Sequence, residues 1–149
     1  MASIAFYHLQ KTPLEQVLPK LLEKTLEAGK RAVVLAGTAD RVEALNMLLW
    51  AVNPNGWLPH GSAKDGSPAD QPVWLTNQEE NPNGATFLFM TDGVMATSLD
   101  GYDRCFDLFD GNDDGAVTAA RGRWKEFKEA GHDLTYWQQP DQGRWEEKA

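Results

Sequence analysis

The sequence predicts a single α/β domain built on a largely parallel sheet flanked by helices. Three observations carry this. Short apolar runs alternate with segments of helical periodicity, the order that gives parallel strands joined by right-handed crossover helices. The runs Ala32 to Leu35 and Ala85 to Met90 are largely apolar, as strands covered on both faces are. A length of 149 residues suits one domain, able to bury roughly two-thirds of its unfolded surface.

Ser3 to His8 is the first strand. Thr12-Pro13 offers a cap and a proline for the first helical turn. Leu14, Val17, Leu18, Leu21, Leu22 and Leu26 then recur at helical spacing, and Gly29 stops the helix. Ala32 to Leu35 is the second strand. Thr38 or Asp40 caps a second helix through Trp50, with Val42, Leu45, Leu48 and Leu49 inward. From Asn53 to Asp70 prolines and glycines interrupt any regular pattern, and only a short turn at Trp57 to His60 is expected. Val73 to Thr76 is a strand, Asn81-Pro82-Asn83-Gly84 a turn, and Ala85 to Met90 and Arg104 to Phe109 are further strands. The last helix runs from about Asp113 to Ala130 with Gly131 as its stop, and Asp133 to Gln139 closes the sheet. Residues 1–139 thus form the domain, and 140–149 are expected to be a charged, flexible tail.

Composition excludes several function classes. Fourteen Lys and Arg face 22 Asp and Glu, a formal net charge of −8. That balance opposes a broad electrostatic grip on DNA, RNA or an anionic membrane. No apolar run approaches the roughly 18 residues of a membrane span. The N-terminus lacks a basic flank followed by an apolar stretch, so the expected location is the cytoplasm. The single cysteine, Cys105, lies in an apolar strand and reads as a small buried side chain.

Two loops imitate ligand sites. Asp110-x-Asn112-x-Asp114-Gly115 matches the first half of an EF-hand loop, but Arg121 stands where that loop needs a bidentate Glu, and a strand precedes it. A polar turn with Asn112 or Asp113 as helix cap is the better reading. Leu35 to Asp40 joins a strand to a helix, where phosphates often sit, yet it holds a single glycine and no P-loop or dinucleotide motif. A small α/β nucleotide-binding protein or enzyme using Gly37 to Asp40 is the rival reading. No nucleophile elbow accompanies His8, His60 or His132. Neither metal nor cofactor is expected.

The last helix concentrates positive charge. Arg121, Arg123, Lys125 and Lys128 are four of the chain's 14 bases, and Glu126 is the one acid among them. At about 100° per residue, Arg121, Trp124, Lys125 and Lys128 share one arc. Ala116, Ala120, Phe127 and Ala130 fall opposite, so the helix packs through them, and Arg123 points inward as a structural residue. Arg supplies a fork for carboxylates, Lys a point charge and Trp an apolar wall for an aromatic side chain. The stripe suits a short anionic partner, since the acidic remainder of the surface repels extended ones. An ordinary solvated helix face is the alternative.

The chain resembles the chi subunits of bacterial DNA polymerase III. The resemblance rests on Phe6-Tyr7-His8, Gly29-Lys30-Arg31, Glu43-Ala44-Leu45 through Leu49-Trp50, and Trp57-Leu58-Pro59-His60-Gly61. It continues through Asn81-Pro82-Asn83-Gly84-Ala85, Asp107 to Asp113, Ala120 to Lys125 and Ala130-Gly131-His132, in order over nearly the whole chain. It implies a non-catalytic clamp-loader accessory subunit with a Rossmann-like fold. One surface would bind the acidic C-terminal tail of single-stranded DNA-binding protein, which ends in a Pro-Phe carboxylate. The family's tail-binding Arg, aromatic and Lys fall on Arg121, Trp124 and Lys125, with Lys128 on the same face. Val117 stands where the family can place a further Lys. A second surface, implied at Trp50, Trp57, Leu58 and Pro59, would bind psi or another clamp-loader subunit.

Overall fold

The computed structural model describes residues 3–10, 13–52, 59–63, 65–96, 98–99, 101–138 and 146–147. Six strands run parallel: β1 (Ser3–Leu9), β2 (Ala32–Leu35), β3 (Val73–Thr76), β4 (Phe87–Met90), β5 (Arg104–Asp110) and β6 (Asp133–Gln138). A short strand, β7 (Glu146–Glu147), adds antiparallel to Trp137 and Gln138. The spatial order is β3-β2-β4-β5-β1-β6-β7. Helices α1 (Leu14–Glu27) and α2 (Ala39–Val52) cover one face, and α3 (Asp114–Glu129) covers the other. The expected α/β class and Rossmann-like single domain are what the chain adopts.

The sheet splits its side chains by alternation. Ala5, Tyr7 and Leu9 of β1 pack with Phe106 and Leu108 of β5 under α1 and α2. Ile4 and Phe6 pack with Cys105 and Phe109 under α3. Both cores are dense with rings: Phe89 stacks on Phe106 at 4.4 Å, and Phe6 meets Phe127 edge-on at 6.2 Å. Phe6 is fully buried, and its truncation to Ala costs about 3–5 kcal/mol.

Element ends differ from the sequence reading for local reasons. β4 begins at Phe87, not Ala85, because Asn81 holds Ala85 in the turn. Its amide bonds the Ala85 carbonyl and its oxygen accepts from the Ala85 N–H, each at 2.8 Å. Thr38 caps α2 by accepting from the Arg41 N–H at 3.1 Å, while Asp40 lies inside the helix. Pro13 stands at the N-cap of α1 with its carbonyl accepting from Gln16 and Val17, and Thr12 lies outside the described residues. Strand β7 has no counterpart in the sequence reading: Glu146-Glu147 offers neither alternation nor an apolar run.

Candidate functional site

The loop from β5 to α3 is tied from within. Asp110 accepts from the Asn112 N–H at 2.9 Å, and the Asn112 amide reaches the Gln10 carbonyl at 3.0 Å. Asp113 is the N-cap, accepting from Gly115 at 2.9 Å and Ala116 at 3.2 Å. The EF-hand-like spacing therefore serves a turn and a cap. Gly111 is required by close approach: a Cβ there would collide with the His8 ring.

Helix α3 is pinned to the sheet by Ala120, Phe127 and the Arg123 side chain, all buried. Arg123 grips Asp107 of β5 through Nε at 2.6 Å and Nη2 at 2.9 Å. Burial pushes the Asp107 carboxyl up, and the guanidinium fork pulls it back. The inward, structural role expected for Arg123 is what the geometry shows. Arg121, Lys125 and Lys128 are exposed, and none is in an ion pair among the described residues. Trp124 stands at the edge of the arc, beside the packed side of the helix. Its indole is half-buried, edge-on to Phe6 at 5.3 Å and to Tyr136 at 5.9 Å. An indole is long enough to reach over the helix flank to the sheet, which a wheel of Cα directions does not register. Val117 is half-buried against the same cluster. Ala130, which the wheel turned inward, is exposed at the C-cap. The result is an aromatic cluster at the flank of a helix that exposes three cations.

Sequence reasoning missed two members of this cluster. His8 and Tyr136 share a hydrogen bond through His8 Nδ1 and the phenol hydroxyl. Tyr136 sits edge-on to Trp124, and Arg121 acts electrostatically on both His8 and Tyr136. The available signal was alternation: His8 follows Ile4 and Phe6 on the α3 face of β1, and β6 places Tyr136 beside Phe6. Pairing β1 with β6 requires the topology, which spacing alone does not give.

Trp50, from the second implied surface, lies on α2, on the opposite side of the sheet. Trp50 on α2 is 58% exposed, and its ring lies 4.2 Å from that of buried His60. Met47, one helical turn earlier and 72% exposed, widens the patch. Pro59 is half-buried nearby in sequence, and Trp57 and Leu58 lie outside the described residues.

The loop at Gly37 is also occupied from within. The Asp92 carboxylate accepts from the Gly37 N–H at 3.3 Å and pairs with Arg41 at 3.3 Å, and Arg41 also meets Glu15. A carboxylate thus sits where a bound phosphate would lie at this helix start. The adjoining cavity of about 610 Å³ at the carboxyl ends of the strands is rimmed by Glu15, Asp92, Asp110 and Asp113 against Arg41 and Arg123. That balance disfavours an anionic nucleotide. Burial raises the Cys105 thiol to about 12, so it is inert. Among the described residues no helix is long and apolar enough to cross a membrane, and no three His, Cys, Asp or Glu are grouped to hold a metal.

The profile of a family described as "DNA polymerase III chi subunit, HolC" matches residues 1–135. A protein of Rickettsia prowazekii (strain Madrid E) named "Probable DNA polymerase III subunit chi" is 32% identical over 88 residues, 59% of this chain. The match spans about half that relative's length, 53%.

Proposed function

The chain belongs to the family of DNA polymerase III chi subunits, and from that premise we propose that it is a non-catalytic linker between single-stranded DNA-binding protein and the replicase. The α3 surface receives the binding protein's acidic C-terminal tail. Arg121 and Lys125 meet carboxylates, the half-buried Trp124 meets the terminal Phe ring, and Lys128 adds field at the rim. The observation that carries this reading is the set of three exposed cations beside one half-buried indole in a protein of net charge −8. A solvated helix face needs no aromatic cluster at its flank.

The partner at the α2 surface is psi or another clamp-loader subunit, anchored by Trp50 together with Trp57, Leu58 and Pro59. Exposed Trp is a common interface anchor. Because α2 and α3 cover opposite faces of the sheet, both partners fit at once. The protein then works in the cytoplasm without gripping DNA itself. Single-stranded DNA carries many binding-protein tails, and their multiplicity compensates for weak individual contacts.

The reading is tested by titrating a labelled acidic peptide ending in Pro-Phe against the full chain. Saturable binding is expected, weakening by about tenfold when the terminal Phe is deleted, roughly the loss of one good contact, and weakening as salt rises. Equal binding of the shortened peptide contradicts it.

A further inference from the structure

His8 is a buried titratable group beside the cation stripe that the proposed function does not use. It is 7% exposed. Its ring lies between Phe109 at 5.1 Å and Tyr136 at 5.8 Å. Nδ1 shares its hydrogen bond with the Tyr136 hydroxyl, and Nε2 faces the Gly111 backbone without completing a hydrogen bond. Gln138 of β6 approaches the same nitrogen as Tyr136, at 3.5 Å.

The charged and titratable groups facing His8 come from three elements. Asp110 ends β5, Arg121 projects from α3, and Tyr136 belongs to β6. In the free protein the imidazole is held below its ordinary value of 6.5, mainly by burial and further by Arg121. The Gly111 backbone and Asp110 act in the other direction. One of these influences responds to the solvent side of the site. Arg121 is exposed, and a carboxylate docking on it cancels its field and adds a negative charge nearby.

Resting on the reading of α3 as the tail site, we infer that His8 is a proton-coupled member of that site, so that capture of a carboxylate at Arg121 draws a proton onto His8. The imidazolium has places for both protons: Nδ1–H donates to the Tyr136 oxygen, and Nε2–H points at the Gly111 backbone. Tyr136 in turn is edge-on to Trp124, so the protonated pair tightens the cluster on which the ligand's aromatic ring lies.

If His8 has a higher pKa in the complex than in the free protein, binding takes up a proton. Affinity then rises as pH falls through the bound-state value, and levels off below the free-state value. Ligand carboxylates stay ionised above about pH 5, so they do not obscure the effect. A rim of Lys and Arg alone gives no slope in this range, since those groups remain charged.

The test uses the full chain and a labelled acidic peptide ending in Pro-Phe, titrated between pH 5.5 and 8 at fixed ionic strength. Wild type is expected to bind severalfold more tightly at pH 5.5 than at pH 7.5, approaching the roughly threefold to tenfold limit of a half-unit to one-unit pKa change. His8→Gln removes the slope and His132→Gln keeps it. A proton NMR titration of the His8 ring needs no substitution. Its midpoint rises by about half a unit or more on saturation with peptide. A slope that persists in His8→Gln, or a midpoint unmoved by saturating peptide, overturns the inference. If Arg121→Ala binds peptide like wild type, the tail site itself is wrong. If Arg121→Ala weakens binding while the His8 midpoint stays fixed, the tail site stands and only the proton coupling fails.

Discussion

In the proposed reading, the surfaces on α2 and α3 each hold a partner, with opposite chemistry. On α2 the exposed groups are apolar: Met47 and Trp50 stand out from a helix whose buried residues serve the sheet. On α3 the stripe Arg121, Lys125 and Lys128 is exposed and cationic, the exposed acids Asp114, Glu126 and Glu129 lie elsewhere on the helix, and the apolar part, Trp124 and Val117, is half-buried. An apolar patch suits a lasting contact whose energy comes from desolvation. A stripe of cations beside a small aromatic cluster suits a short anionic segment that arrives and leaves quickly, with attraction that salt weakens. In that reading, a lasting and an exchangeable attachment fall on opposite faces of one small sheet.

The sharpest way to break this arrangement is to unseat α3. Asp107→Ala leaves the Arg123 guanidinium buried and unpaired, and is expected to destabilise the fold by about 3–5 kcal/mol, read by chemical denaturation. A loss below about 1 kcal/mol, the range of an exposed pair, means the helix is held by Phe127 and Ala120 alone. Next in size is the α2 surface. Trp50→Ala is expected to cost about 2 kcal/mol or more in clamp-loader association while hardly moving the melting temperature, because the indole is already exposed. Trp57→Ala is expected to lose the same association, and a stability loss of about 3–5 kcal/mol instead identifies Trp57 as core. Smaller again is the effect of Lys128→Ala on peptide affinity. As a rim charge it is expected to change binding by less than about 1 kcal/mol, below either Arg121→Ala or Lys125→Ala.

How much of this was legible in the sequence depends on the range of the interaction. Among the described residues, the six parallel strands and three α-helices follow from local patterns, because apolar runs and helical spacing are written within one segment, whereas the 3-10 turn at Pro68–Asp70 does not. Arg123 was placed inward by helical periodicity alone, and its partner Asp107, sixteen residues earlier on β5, appears only once the chain folds. His8 and Tyr136 are 128 residues apart and meet because β6 crosses over to pair with β1. Trp124 was legible as a site residue but not as half-buried, since burial depends on what lies beneath the helix. Asp92 at the Gly37 loop was invisible for the same reason: its carboxylate arrives from the far end of β4.

The most direct test is a peptide titration across both surfaces, comparing Arg121→Ala, Lys125→Ala and Trp50→Ala with wild type. Arg121→Ala and Lys125→Ala are each expected to weaken binding of the acidic Pro-Phe peptide by about tenfold or more, about 1.4 kcal/mol, while Trp50→Ala is expected to bind it like wild type. If both α3 variants bind the peptide as wild type does, the stripe is a solvated helix face and the assignment of the two surfaces is wrong.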